Sequence, residues 1–277
     1  MNVNFYVNNY VLIWNLLFQA SISEPIYNLK QKLWANYKTE YNNTYRDKNL
    51  ILRDTKNFIP NDDTIYNIVV ETREYEKLKK SAEKYRMELM KLWDSNKRLI
   101  MAFVKNILKK DIRPYTILVV NEELDIIDTN YQNEEMGTLI IGKRIDKKDP
   151  MRIIVEMIMA IVKEEIKFST EKSKIGTAII ELAVLNELAT ILTKKSCYIS
   201  GQPSLSNVKR SIYPYWLMYL AVPKDEFPTY MSRDKIAFDA NAMAYEKELK
   251  KMEIGAFIDF CHRNQRYIIK KEKSEVI

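Results

Sequence analysis

The sequence predicts an α+β protein that is mostly helical, with one small sheet near its middle. Three observations carry this. Only 5 glycines and 8 prolines in 277 residues leave little material for tight hairpins or linkers, which favours helices. Long stretches on both sides of the middle repeat apolar residues at helical period. Between residues 113 and 148, and there alone, short β-branched runs bounded by turn residues cluster together. With 47% apolar residues and 18 tyrosines, the chain can bury a substantial core and does not have the composition of a disordered one.

The elements follow in order. The first hundred or so residues read as helices. Tyr10 to Phe18 is apolar but is broken by Asn15 and is far too short to span a bilayer. From Ile26, the residues Leu29, Leu33, Trp34, Tyr37 and Tyr41 keep a helical period, with Ser23 and Pro25 as start signals. Loop chemistry fills 57–63 and ends in an acidic N-cap. A long helical pattern then runs from about Thr64 to Leu108 through Leu78, Tyr85, Leu89, Leu92 and Trp93. The character changes at Arg113-Pro114, and strands are predicted at 116–120, 125–128 and 138–142, sharing one sheet. Asp149 and Pro150 offer an N-cap and a first-turn proline for a helix over 150–167. From Ile153 to Val162 every residue but Glu156 is apolar, so this helix should be surrounded by protein. Another helix is predicted over about 173–193. From Ser204, helices broken at Pro214, Pro223 and Pro228 lead to a basic tail after Arg263. The predicted organisation is a helical N-terminal region over 1–111 and a core over 112–277, with the sheet in 113–148.

Several function classes are disfavoured by composition. The net charge is +7, but the 44 basic residues are spread from Lys30 to the tail, and this dilution argues against a dedicated nucleic-acid groove. Cys197 and Cys261 have no framework spacing, so a reducing compartment is expected. No basic residue precedes Lys30, so a signal-peptide n-region is missing. A cytoplasmic protein without membrane partners is the expectation. His262 is the single histidine, which leaves histidine-based zinc sites, di-iron pairs and Ser-His-Asp triads without their ligands or base. The glycines at 137, 142, 176, 201 and 255 form no G-x-G pair, so no phosphate loop is present. No cofactor or metal is expected.

The most informative motif is Lys163-Glu164-Glu165-Ile166-Lys167, followed by Asn186-Glu187-Leu188-Ala189-Thr190. Lysines four apart lie on one helix face, with Glu156 and Ala160 on the same stripe. Glu187 has Ala183, Val184 and Ile191 as face neighbours, and a carboxylate on so apolar a face needs a partner. The two lysines are the cations expected to neutralise it. By itself, the five-residue run also fits a solvated helix end with an i,i+4 Glu–Lys pair.

With histidine in place of both lysines, the run would read H-E-x-x-H, with a glutamate twenty positions on. In this it resembles the gluzincin metallopeptidases, over about residues 115–195. The resemblance implies a zincin-like core with the small sheet packed on the motif helix, and an extra helical N-terminal region. It places Lys163, Lys167 and Glu187 at former zinc-ligand positions and Glu164 at the position of the catalytic general base. A protonated ammonium group has no lone pair to give a metal, so the resemblance is to a scaffold without its chemistry. Glu156, Tyr213 and Tyr215 are the candidate cleft residues.

The function expected from these readings is that of a catalytically inactive, metallopeptidase-like protein acting by protein or peptide binding. If it is an enzyme, a peptidase-type hydrolase is the class. The alternative is a basic helical interaction or nucleic-acid-associated protein in which the motif is coincidental. A third arrangement would gather Glu156, Glu164, Glu181 and Glu187 around Mg²⁺ or Mn²⁺.

Overall fold

The computed structural model describes residues 1–19, 24–51, 58–130, 136–194, 199–233 and 244–269. Ser23, Asn57, Cys197 and the tail from residue 270 lie outside the described residues. Most of the chain is helical, with one mixed four-stranded sheet. The chain groups into two compact units, Met1–Asn96 with Arg113–Ile161 and Lys97–Ile112 with Val162–Ile277. Each unit therefore draws on both sides of the expected boundary at 111/112.

Unit 1 holds the sheet. The strands are β1 (Val3–Tyr6), β2 (Tyr115–Val119), β3 (Ile126–Asn130) and β4 (Gly137–Gly142), in spatial order β1-β2-β4-β3. β1 and β4 run parallel to β2, while β3 pairs antiparallel with β4. The three expected strands thus share one sheet. β1 corrects the all-helical reading of the first hundred residues. Its signal is a four-residue alternation, Val3 and Phe5 in and Asn4 and Tyr6 out, too short for a helical-period search to catch. Tyr115 pairs with Gly137 in register, and a Cβ at 137 would collide with the Tyr115 ring, so glycine is required there.

The helices of unit 1 cover one face of this sheet. They are α1 (Asn9–Phe18), α2 (Glu24–Asn36), α3 (Lys38–Tyr45), α4 (Lys48–Ile51), α5 (Thr64–Val70) and the start of α6 (Arg73–Phe103). Val11, Leu12 and Leu16 of α1, Ile65 and Val69 of α5, and Tyr75 and Leu78 of α6 share one core with Leu118, Val120 and Ile140. The expected helix from 64 to 108 is broken at Thr72. Its hydroxyl donates to Val69 O at 2.6 Å and accepts from Tyr75 N at 3.2 Å, stopping one helix and capping the next.

α7 (Arg152–Glu165) begins in unit 1. It starts two residues after Pro150, with Arg152 N donating to Asp149 O at 3.2 Å. Within unit 1, Glu156 accepts from Lys143 at 2.9 Å and from Arg152 at 2.9 Å. Tyr85 donates to Lys143 O at 2.6 Å. These bonds fasten the chain just after β4 to α6 and α7.

Unit 2 is helical. A continuous helical run over Thr170–Thr193 contains α8 (Ser173–Glu181), a π-helical segment Leu182–Leu188 and α9 (Ala189–Thr193). Among the described residues this is the one helix long and apolar enough to cross a membrane, and 72% of its apolar window is buried inside the protein. α10 (Ser206–Tyr219), α11 (Phe227–Arg233), α12 (Glu246–Leu249) and α13 (Ile254–Arg263) follow. α10 and α13 both pack on α8. Pro214 was expected to break its helix, but α10 runs through it. From Ile212 to Tyr219 every residue of α10 is buried, and that packing outweighs the lost backbone hydrogen bond of about 3 kcal/mol. Pro228 sits in the first turn of α11, where a missing N–H matters least.

Candidate functional site

The helical run Thr170–Thr193 carries two carboxylates on otherwise apolar surroundings, and each meets a different side chain of α10. Glu181 closes α8 within the sequence Ala178-Ile179-Ile180-Glu181-Leu182-Ala183. Its partner is Lys209, with side-chain exposures of 0% for the lysine and 4% for the glutamate. A buried charge is tolerated only when paired and hydrogen-bonded, and both conditions are met. Lys209 Nζ also donates to Ser200 O at 2.7 Å, and Glu181 Oε2 accepts from Gln202 N at 3.1 Å.

The loop at 199–202 is shaped around this pair. Gly201 has φ +107°, and a Cβ there would strike the Glu181 carboxylate. Both facts demand glycine. Ser200 Oγ donates to Leu185 O at 3.0 Å, satisfying a carbonyl of the π-helical segment, where the helix ladder is rearranged.

Glu187 lies six residues further on, in the π-helical segment, and is half-buried. Its Oε1 accepts from Trp216 Nε1 at 3.0 Å. Lys209 and Trp216 are seven apart on α10, hence on one face, so that single face receives both carboxylates. Burial pushes the Glu187 carboxyl above its ordinary range, and the indole N–H opposes this only in part. The lysine counter-charge expected for Glu187 is therefore replaced by a neutral donor. Among the described residues, the buried lysine Lys209 serves Glu181 instead.

The motif residues are placed as follows. Lys163 is exposed at the end of α7, and Glu164 is half-buried beside it. α7 stops at Glu165, so Lys167 lies beyond the helix, also exposed. The expected stacking of both lysines on one helical turn is thus not realised. The cause is local: Ile166 N still bonds to Val162 O at 2.9 Å, and Ile166 buries its side chain there as the chain turns toward Thr170. Tyr213 and Tyr215 are buried packing residues, with Tyr215 against Phe260 at 6.2 Å. Glu156 belongs to unit 1 and is held by Lys143 and Arg152. His262 sits half-buried in α13, next to the buried Cys261, whose thiol is pushed up by burial.

Around Trp216 the packing is aromatic. Its ring stacks on Tyr219 at 5.0 Å, and Phe257 lies against both. Tyr219 donates to Ile107 O at 2.5 Å, and Lys109 Nζ sits 4.0 Å above the Tyr219 ring. Lys109 has φ 51° and donates to Tyr219 O and Lys250 O at 2.8 and 2.9 Å. A left-handed lysine thereby closes the π-helical turn Val104–Leu108. Such rings contribute about 0.5–1.5 kcal/mol per pair beyond their buried area, and they pack around the Trp216 donor.

Among the described residues no group of three or more His, Cys, Asp or Glu side chains is placed to hold a metal ion. Open cavities lined by described residues of unit 1 include ones of about 950, 800 and 570 Å³. The first is lined by Tyr10, Arg46, Lys48, Asn61 and Asp63 among others, and the second by Lys84, Glu88, Arg144 and Lys147. Both are mixed in charge. Lys209, Ser200 and Gly201 were not anticipated from the sequence. The available signal was Glu181 itself, a lone carboxylate in an apolar run that required a buried cation. No protein-family model matches the chain, and no curated protein or solved structure matches it either.

Proposed function

We propose that this chain acts by binding a protein or peptide partner, and that the metallopeptidase-like run at 163–187 belongs to a scaffold without zinc chemistry. The observation that carries the reading is the Glu187 carboxylate, which is engaged by the Trp216 indole inside an aromatic cluster. A carboxylate so held is oriented by a neutral donor, and the lysines at the other two ligand positions are solvent-facing ammonium groups that carry no lone pair. Glu164 then has no metal-bound water to activate. The free, buried Cys261 suits a reducing, cytoplasmic setting.

The test uses the purified full chain and a random peptide mixture read by mass spectrometry. Every peptide is expected to stay intact with or without added zinc, and Glu164→Gln is expected to change nothing. Cleavage that depends on zinc and is abolished by Glu164→Gln would overturn the proposal.

A further inference from the structure

A second surface lies in unit 1, on α2 and α3. Here large aromatic rings are exposed in unusual concentration: Tyr27 at 46%, Trp34 at 42%, Tyr37 at 39% and Tyr45 at 52%. Single exposed apolar residues need no explanation, but a cluster of rings does. Several of these rings are held in fixed orientations. Trp34 meets Tyr41 edge-on at 5.9 Å, Tyr41 meets Phe18 at 5.1 Å, and Phe18 meets Tyr45 at 5.2 Å. Trp14 closes the row against Phe18 at 5.3 Å, with its own N–H given to Thr44 O at 3.2 Å. Trp34 and Tyr45 thus project from a buttressed row of rings.

Basic residues alternate with these rings. Tyr27, the half-buried Lys30 and Trp34 share one side of α2; past the break at Tyr37, Lys38 and the half-buried Tyr41 of α3 come back against Trp34. Tyr27 and Trp34 stand two turns apart, about 10.5 Å along the axis. Lys38 Nζ lies 5.1 Å over the Trp34 ring. Lys32, Arg46 and Lys48 are exposed in the same segment. Its carboxylates are Glu24, Glu40 and Asp47. Asp47 is buried and turned inward, its oxygens accepting from Asn49 N at 3.0 Å and Asn61 N at 2.8 Å. Within this stretch the exposed cations outnumber the exposed carboxylates, while Glu74 lines the groove that holds Lys32 and Asp62 and Asp63 line the one that holds Arg46 and Lys48, so Lys38 beside Trp34 is the cation nearest the rings.

We propose that the alternating aromatic and lysine side chains of α2 and α3 bind single-stranded nucleic acid, with Trp34 as the central stacking platform. Exposed rings offer π-faces to unpaired bases, and interleaved cations meet the phosphates between them. A protein partner fits less well, because lysine is depleted from the cores of protein interfaces where aromatic anchors sit. This site is separate from the run at 163–187, so zinc-dependent cleavage there would leave it standing.

The test is fluorescence anisotropy of a labelled, unstructured oligodeoxythymidine titrated with the full chain at several salt concentrations. Saturable binding is expected. Trp34→Ala should weaken it by about 5- to 150-fold, the fold-change equivalent to losing one stacked base, while Trp34→Phe keeps most of the affinity. Lys38→Gln should make the slope of log affinity against log salt shallower by about 0.7. Trp34 is exposed, so the alanine variant should keep the wild-type circular dichroism spectrum, and Tyr27→Ala serves as a second ring deletion. Absence of saturable binding would overturn the proposal, as would unchanged affinity in a folded Trp34→Ala chain. A duplex of equal length that binds as tightly would also overturn it, since charge alone would then suffice.

Discussion

Replacing Lys209 by Met leaves the Glu181 carboxylate in a site with 4% side-chain exposure and a single remaining described donor, Gln202 N. The converse change, Glu181→Leu, strands an ammonium group with 0% exposure whose remaining partner is Ser200 O. Removing one member of a buried pair costs about 3–5 kcal/mol, because desolvation of the survivor is no longer offset. Against a typical total of about 5–15 kcal/mol, that is a large share of the stability. The double change Lys209→Met with Glu181→Leu removes both charges and fills similar volume, so it should lose less than either single change. Its residual loss comes from Ser200 O and Gln202 N, each left short of a partner at about 1–3 kcal/mol. Urea denaturation followed by circular dichroism, on wild type, both singles and the double, gives the coupling energy directly. Additive single effects of about 0–1 kcal/mol, the size seen for exposed pairs, would refute a buried pair at the centre of unit 2.

Two further outcomes follow from the same neighbourhood. Glu187→Gln keeps an acceptor for Trp216 Nε1 while removing a charge whose carboxyl is raised by burial. A raised folded-state carboxyl contributes stability that is fully present below the ordinary carboxylate range and is lost as pH rises through the folded value. The variant should therefore gain stability over wild type as pH rises from acid to neutral, and melts across that range check it; a loss at neutral pH would restore the expected lysine partner. Gly201→Ala should destabilise the chain by about 1–3 kcal/mol or more, because a side chain must adopt a positive φ and also meets the Glu181 carboxylate. Thermal melting checks this, and a neutral result would mean the loop does not close over Glu181.

Much of the fold was legible because its signals are local. The strands at 115–119, 126–130 and 137–142 announce themselves as β-branched runs between turn residues, and the apolar helix after Pro150 declares its burial by lacking a polar face. β1 was not legible. Its pairing with β2 joins residues more than a hundred positions apart, and nothing within Val3–Tyr6 names that partner. Helix ends were the weaker part of the reading. The stop at Glu165 depends on Ile166 finding a buried site, and the passage of α10 through Pro214 depends on packing that a propensity argument cannot see.

The candidate site was legible in kind but not in pairing. The sequence signals a buried cation, but its pattern points to Glu187, whereas the structure pairs the buried lysine with Glu181. Both glutamates sit in apolar runs of one helix, and only the rotation imposed by the π-helical segment Leu182–Leu188, together with the register of α10, decides which meets lysine and which meets indole. Lys163 and Lys167 stand out by their spacing, whereas Lys209 stands in no motif. Its importance comes entirely from where α10 packs.

Whether the run at 163–187 binds catalytic zinc is decided by elemental analysis of the purified full chain after dialysis against zinc-containing buffer. No stoichiometric zinc is expected, because Lys163 and Lys167 present exposed ammonium groups and the Glu187 carboxylate is bound to Trp216. About one zinc per chain, as a single catalytic site would hold, lost in the Glu187→Gln variant, would contradict it.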